Sequence, residues 1–120
     1  MTDSRIAACE ITEIGVGSEW GCGIRLAWGS SRNQVLGNTI ARTGRGGILA
    51  NDGSTDLIIK GNTVSGSGGV GLGIEVWNGC ERALIQKNAM DHWLSVNHSS
   101  GVAVRGNTIS DKSGVFKFGG

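Results

Sequence analysis

Side chains suited to binding or transforming a polar substrate recur in one kind of short segment. Three copies begin with glycine and isoleucine, GIRLAWG (residues 23–29), GILANDG (47–53) and GIEVWNG (73–79), and WLSVNHS (93–99) follows the same alternation. The candidate substrate-binding residues are Arg25, Asn51, Trp77 and Asn97, with Trp20 from the loop before the first segment. An aromatic plane covers the apolar face of a sugar ring while amides and charges bond its hydroxyls. The set therefore predicts a polysaccharide partner.

Acid–base chemistry has three candidates in the same segments, Glu75, Asp52 and His98, because histidine near a carboxylate is common in proton transfer. At the segment ends one column reads Trp28, Asp52, Asn78, His98. The column adjoins the turns GSSR, GSTD and GCER, where polar residues are expected for conformational reasons alone, and we favour that interpretation. Glycoside hydrolysis needs two carboxyl groups roughly 5–9.5 Å apart. The nearest pairs are Asp52 with Glu75 and Glu75 with Asp91, so the sequence leaves catalysis open.

A second unit recurs between these segments and sets the architecture. It reads GNTI at 37–40, GNTV at 61–64, KNAM at 87–90 and GNTI at 106–109, and extends backwards as φ-x-φ-x-x-N-x-φ, where φ is apolar or small. An earlier, degenerate copy has Cys9 in the asparagine place. Such short alternating segments, separated by glycine and serine turns, predict strands rather than helices.

A chain that coils through several short strands per turn brings each strand beside its counterpart one repeat later. We therefore predict an all-β fold, a parallel β-helix of about four to five coils in a single domain spanning residues 1–120. Equivalent residues should form columns. One interior column is Ile24, Ile48, Ile74, Leu94 and Val115; the asparagine column is Asn38, Asn62, Asn88 and Asn107. Each buried amide in such a column can bond its neighbours.

This repeat, with its asparagine column and GIxV strands, resembles the right-handed parallel β-helix of the pectin-lyase-like superfamily, over roughly residues 4–118. The resemblance implies that sugar lies on the outer face of the GIxV strands. The outward columns there should be Arg25, Leu49, Glu75, Ser95, Phe116 and, beside it, Ala27, Asn51, Trp77, Asn97, Phe118. An enzyme of this kind would be a polysaccharide lyase, glycoside hydrolase or epimerase. The resemblance favours an extracellular or periplasmic location, although the N-terminal residues carry no recognisable secretory signal.

Composition excludes several partners and cofactors. Eleven basic and ten acidic residues give a formal charge of +1, which is too little to attract nucleic acid or an anionic membrane. No apolar run approaches the roughly 20 residues of a spanning helix. The three cysteines lack CxxC spacing, so we expect neither a disulfide framework nor a metal site, and no cofactor.

Two further expectations concern packing. Trp28, at a strand end, is expected to pack against the fold. The outward column Gln34, Ile58, Leu84, Ala103, with nearby Leu36, predicts an apolar strip and a homo-oligomer. The β-helix should then be either uncapped or capped by another copy. The alternative function is a non-catalytic structural or oligomerisation segment, of the phage-fibre or surface-protein type.

Overall fold

A computed structural model describes residues 1–18, 21–67 and 72–110, and the backbone of 116–119. Its strands form three parallel sheets. The first sheet consists of β1 (Arg5–Ala7), β4 (Gln34–Leu36), β7 (Thr55–Lys60), β10 (Glu81–Gln86) and β13 (Ala103–Arg105). The second consists of β2 (Glu10–Ile14), β5 (Thr39–Thr43), β8 (Thr63–Ser67), β11 (Ala89–Met90) and β14 (Thr108–Ile109). The third consists of β3 (Cys22–Leu26), β6 (Gly46–Asn51), β9 (Leu72–Trp77), β12 (Trp93–Asn97) and β15 (Phe116–Gly119).

Each strand pairs with the strand three places later in the chain, so the chain winds through all three sheets once per coil. In the described part of the chain each sheet has five strands and all of them are parallel, which confirms the predicted all-β solenoid. Within the described ranges every regular element is a strand, and none is a helix long and apolar enough to cross a bilayer.

The core fills the space inside the three sheets with one or two apolar side chains per coil from each sheet. Val35, Ile59 and Ile85 are aligned neighbours in the first sheet and are fully buried. In the terminal coils the corresponding residues are only partly buried where they pack on this core; they are Ile6, Ile11, Val102, Val104 and Ile109. Close-packed aliphatic columns of this kind supply the main stabilisation of the fold.

The asparagine column lies at the corner between the first and second sheets. The side chain of Asn62 donates from Nδ2 to Oδ1 of Asn88 at 2.9 Å and to the carbonyl of Val35 at 3.0 Å. Its own Oδ1 accepts from both the backbone N–H and the Nδ2 of Asn38. The backbone N–H of Cys9 donates to Oδ1 of Asn38, so the degenerate first copy has the predicted register. The ladder therefore satisfies every buried amide it contains.

Glycine opens the third-sheet strands because that sheet approaches the second sheet closely. A Cβ added at Gly47 would lie 2.3 Å from Cγ1 of Val64, and one at Gly23 would lie 2.6 Å from Cγ2 of Ile40. The strand β12 has Trp93 at its start instead, and the register shifts between Trp93 and Leu94. The GI pattern is thus a packing requirement of the fold.

The predicted register of the C-terminal strand is wrong by one residue. Lys117, not Phe116, pairs with Ser95, and Gly119, not Phe118, pairs with Asn97. Leu94 pairs with Phe116, whereas the sequence predicted Val115 in that place. The tail lacks the glycine–isoleucine start of β3, β6 and β9, and a slip of one residue exchanges the two faces of a strand.

Candidate functional site

The turns that leave the third sheet repeat one backbone conformation. Trp28, Asp52, Asn78 and His98 have φ angles of 50°, 53°, 63° and 48°. Asparagine, aspartate and histidine adopt this left-handed conformation more readily than most residues, whereas tryptophan does so at a cost in strain. Glycine follows in the first three of these turns, again with positive φ. The column is therefore a ladder of equivalent turns, as the favoured interpretation of the sequence predicted.

Amides from two sides hold the carboxylate of Asp52. Its Oδ1 accepts from Nδ2 of Asn78 at 2.6 Å, and its Oδ2 accepts from Nδ2 of Asn51 at 2.9 Å. His98 lies two coils further along, roughly 9.6 Å at the usual strand spacing, and its side chain is exposed. Asn97 in that coil donates to Oγ of Ser95 at 2.8 Å. The arrangement brings amides and one carboxylate together and leaves the imidazole apart from them.

Two tryptophans face solvent on this flank. Trp28 is 78% exposed and Trp77 is 39% exposed, so the expectation that Trp28 packs against the fold is wrong. The positive φ of Trp28 places the residue on the tip of the turn, where no neighbouring strand covers it. The guanidinium of Arg25 lies 5.1 Å from the Trp28 ring centroid, in the range of a cation–π contact. Arg25 also donates from Nε to Oδ1 of Asn51 at 3.3 Å.

These side chains form one continuous surface along the axis of the solenoid, which we call the tryptophan corner. It consists of Arg25, Trp28, Asp52, Trp77 and Asn78, and Asn51, which is only 3% exposed, lies beneath it and bonds Arg25 and Asp52. Asn51 and Trp77 are aligned neighbours on adjacent coils, as predicted, and Asn97 aligns with Trp77 on the next coil. Trp20, the remaining predicted binding residue, lies outside the described residues.

Glu75 is aligned with Leu49 and Ser95 as predicted, but its carboxylate is covered. Arg45 donates to it from Nε at 3.2 Å and from Nη2 at 3.1 Å, with 15% and 10% of the Arg45 and Glu75 side chains exposed. Bidentate geometry and burial make this a strong pair. Arg45 lies in the short turn before β6, where the sequence shows only a polar residue among glycines. Sequence reasoning therefore missed it.

Cys22 lies near this pair at the start of β3. Burial raises the pKa of its thiol, against the opposing effect of the nearby Arg45 guanidinium. The thiol therefore stays protonated at neutral pH, and a protonated thiol is a poor nucleophile and metal ligand. Within the described ranges no cluster of three or more histidine, cysteine, aspartate and glutamate residues is arranged to hold a metal ion.

The predicted apolar strip on the first sheet has the expected register. Gln34, Ile58, Leu84 and Ala103 are consecutive neighbours, and Ile58 and Leu84 are half-buried. Leu36 belongs to the adjacent column. The homo-oligomer inferred from this strip stays a prediction, which sedimentation at micromolar concentration would test.

Comparison with known proteins identifies the family. A family model described as a right handed beta helix region matches residues 2–90. The chain belongs to the right-handed β-helix family. The match covers the first three coils of this right-handed β-helix and the beginning of the fourth, and it is consistent with the resemblance to the pectin-lyase-like superfamily. Searches of curated proteins and of solved structures found no match.

Proposed function

We propose that this right-handed β-helix binds a polysaccharide along the tryptophan corner. The observation that carries the proposal is the exposure of Trp28 and Trp77 on the same flank as the amide and carboxylate groups of Asn51, Asp52 and Asn78. Exposed aromatic side chains that share one flank with polar groups are typical of binding surfaces, and a sugar ring offers such side chains an apolar face to cover.

A polymer fits this surface better than a small ligand does. Trp28 and Trp77 lie two coils apart, roughly 9.6 Å along the axis, so a single sugar unit cannot contact both at once. The groups between them are fixed by mutual hydrogen bonds, and Arg25 lies against the Trp28 ring. Side chains held in this way lose little conformational entropy when a chain of sugar units lies across them.

The hydrogen bonds of Asp52 and Glu75 favour binding of the polysaccharide without cleavage. Both oxygens of Asp52 accept hydrogen bonds from amides, and the carboxylate of Glu75 is paired with Arg45. A general acid needs a proton that it can give to the substrate, and a nucleophile needs a carboxylate that can reach it. Catalysis by Glu75 or Asp52 would first require these contacts to break, and His98 lies two coils from Asp52.

A glycan array read with matched variants tests the proposal. We expect the unaltered chain to retain one class of polysaccharide, and Trp77→Ala and Trp28→Ala each to weaken that binding by about tenfold, or about 1.4 kcal/mol. Val16→Ala is the control, because Val16 is 69% exposed but lies in the loop after β2. Unchanged binding in both tryptophan variants would move the site elsewhere. If no glycan is retained, the alternative of a structural segment is supported.

A further inference from the structure

One turn of the solenoid is shorter than its counterparts, at the end of the tryptophan corner. The register pairs mark equivalent residues on both sides of the turn: before it Leu26, Ala50, Val76 and Val96, and after it Ser31, Thr55, Glu81 and Ser100. The second position follows the first by five residues in each of the first three turns, but by only four residues in the fourth turn. The fourth turn lacks the glycine that follows the left-handed residue in the others.

The missing residue leaves a notch between the third and fourth coils. The notch has a volume of about 210 Å³, and it is lined by Gly79, Cys80, Glu81, His98, Ser99 and Ser100. The backbone across it is satisfied, since Gly79 N–H donates to the carbonyl of His98 at 2.6 Å and Ser100 N–H donates to that of Cys80 at 3.0 Å. The notch begins two residues after Trp77 and one after Asn78, so it adjoins the tryptophan corner.

The polar groups of the notch are suited to hydroxyl groups. The side chains of His98 and Ser100 make no hydrogen bond within the described part of the chain, so both offer donors and acceptors. Oε2 of Glu81 accepts a hydrogen bond from Nη1 of Arg82 at 2.9 Å, and the Glu81 side chain is 50% exposed. A volume below the ~300–1,000 Å³ of pockets for drug-sized ligands suits one small polyhydroxylated unit.

The same residues are poorly arranged for a metal ion or for nucleophilic chemistry. Cys80 is fully buried and its thiol donates to the carbonyl of Trp77 at 3.5 Å. Burial raises the pKa of this thiol, which keeps it protonated. The carboxylate of Glu81 is already paired with Arg82. Of the three potential metal ligands, only His98 is left uncommitted.

We propose that the notch is a subsite for a single neutral sugar unit, held by His98, Ser100 and Glu81 beside the unit that stacks on Trp77. This inference rests on the proposed function, because it assigns one unit of the same polymer to the notch. Oε1 of Glu81, which accepts no hydrogen bond in the described part of the chain, can accept one from a sugar hydroxyl but not from a uronate carboxylate, because neither of those two groups has a proton to donate. The subsite therefore selects a neutral unit at this position.

Monosaccharide titrations followed by amide NMR test the subsite separately from polymer binding. With glucose and galactose as probes, we expect the amides of Gly79, Ser99 and Ser100 to shift in a saturable way, and with glucuronate we expect at least about fivefold weaker binding. Absence of saturable shifts with both neutral sugars would overturn the subsite. A response to stoichiometric Zn²⁺ in place of sugar would overturn it as well.

Two variants fill the notch. A glycine inserted between His98 and Ser99 restores the turn length of the other three coils, so we expect it to fold and to lose the monosaccharide response. Ser100→Leu should do the same, and Ser31→Leu, in the equivalent column of the second coil, is the matched control. A full response in Ser100→Leu would contradict the proposal even if the insertion misfolds. If a glycan array detects polymer binding but the amides of the notch do not shift with a monosaccharide, the subsite is wrong and the proposed function stands. If those amides shift and no polymer binds, the proposed function is wrong and the notch still binds a sugar.

Discussion

The corner that holds the asparagine column (Asn38, Asn62, Asn88 and Asn107), which we call the asparagine corner, and the tryptophan corner are built in the same way but differ in what their side chains do. Each is a turn repeated coil after coil, with one side chain per coil in an equivalent place. At the first corner the asparagine side chains of four successive coils point inward and bond one another, and Cys9 takes the equivalent place in the first coil. At the second corner the turn residues are Trp28, Asp52 and Asn78 in three successive coils, followed by His98 in the next, so they differ from coil to coil. Burial requires identical chemistry, whereas exposure allows the chemistry to vary and so to recognise a ligand.

The largest expected effect is on the free energy of unfolding, which should fall much more for a substitution at the asparagine corner than for one at the tryptophan corner. Asn62→Ala removes four hydrogen bonds and leaves buried groups of Asn38 and Val35 unsatisfied, so we expect a loss of roughly 3–5 kcal/mol in the free energy of unfolding. Asn78→Gly at the tryptophan corner removes one exposed hydrogen bond and keeps a residue that tolerates the positive φ, so it should lose less than about 1 kcal/mol. Urea denaturation measures both. Equal losses in the two variants would show that both corners contribute equally to the stability of the fold.

The second effect concerns the covered carboxylate beside the tryptophan corner. Arg45→Met leaves the carboxylate of Glu75 buried without its cation, and we expect a loss of about 2–3 kcal/mol. The additional change Glu75→Gln should recover much of it, because the buried charge is then gone. Arg32→Met is the control at an exposed pair, where we expect no measurable loss. A double variant as unstable as Arg45→Met would argue against a buried unpaired charge as the cause.

The third corner, between the second and third sheets, has a buried hydroxyl where the asparagine corner has a satisfied amide. Oγ1 of Thr43 finds no hydrogen-bond partner in the described part of the chain, and the residue is 2% exposed. Thr43→Val keeps the shape and removes the hydroxyl, so we expect a gain of about 1 kcal/mol in stability. Thr39→Val, exposed on the same strand, should change little. Destabilisation by Thr43→Val would mean that the hydroxyl is paired after all.

The smallest effect depends on pH. The guanidinium of Arg82 donates to Asp56 at 2.8 and 3.2 Å and holds the pKa of that carboxyl below its ordinary value of 3.8. The folded state therefore keeps Asp56 charged to lower pH than the unfolded state does. The stabilisation from this pair is present above about pH 4 and is lost as the pH falls below it. Asp56→Asn should thus be slightly less stable than the unaltered chain near about pH 6, with the difference vanishing near about pH 2. A difference that grows on acidification would reverse the sign of the argument.

The sequence predicted the asparagine corner well and the tryptophan corner in part. Asn38, Asn62 and Asn88 repeat because each must bond the next, and the repeat is visible in the sequence. The exposure of Trp28 and the pairing of Arg45 with Glu75 were not predictable in this way. They depend on turn geometry and on contacts between coils that do not repeat. The register of β15 was missed because Val115, Phe116 and Phe118 are all apolar, so the alternation in the sequence does not decide which of them lies opposite Leu94.

Indole NMR of the unaltered chain tests the sugar-binding account most directly. An oligosaccharide selected by the array is added, and the indole N–H signals of Trp28, Trp77 and Trp93 are followed. Trp93 begins β12, at the end of the strand away from the tryptophan corner, and is the internal reference. We expect the signals of Trp28 and Trp77 to shift together and saturate at one concentration while that of Trp93 stays in place. Saturable binding that moves neither Trp28 nor Trp77 would contradict the account.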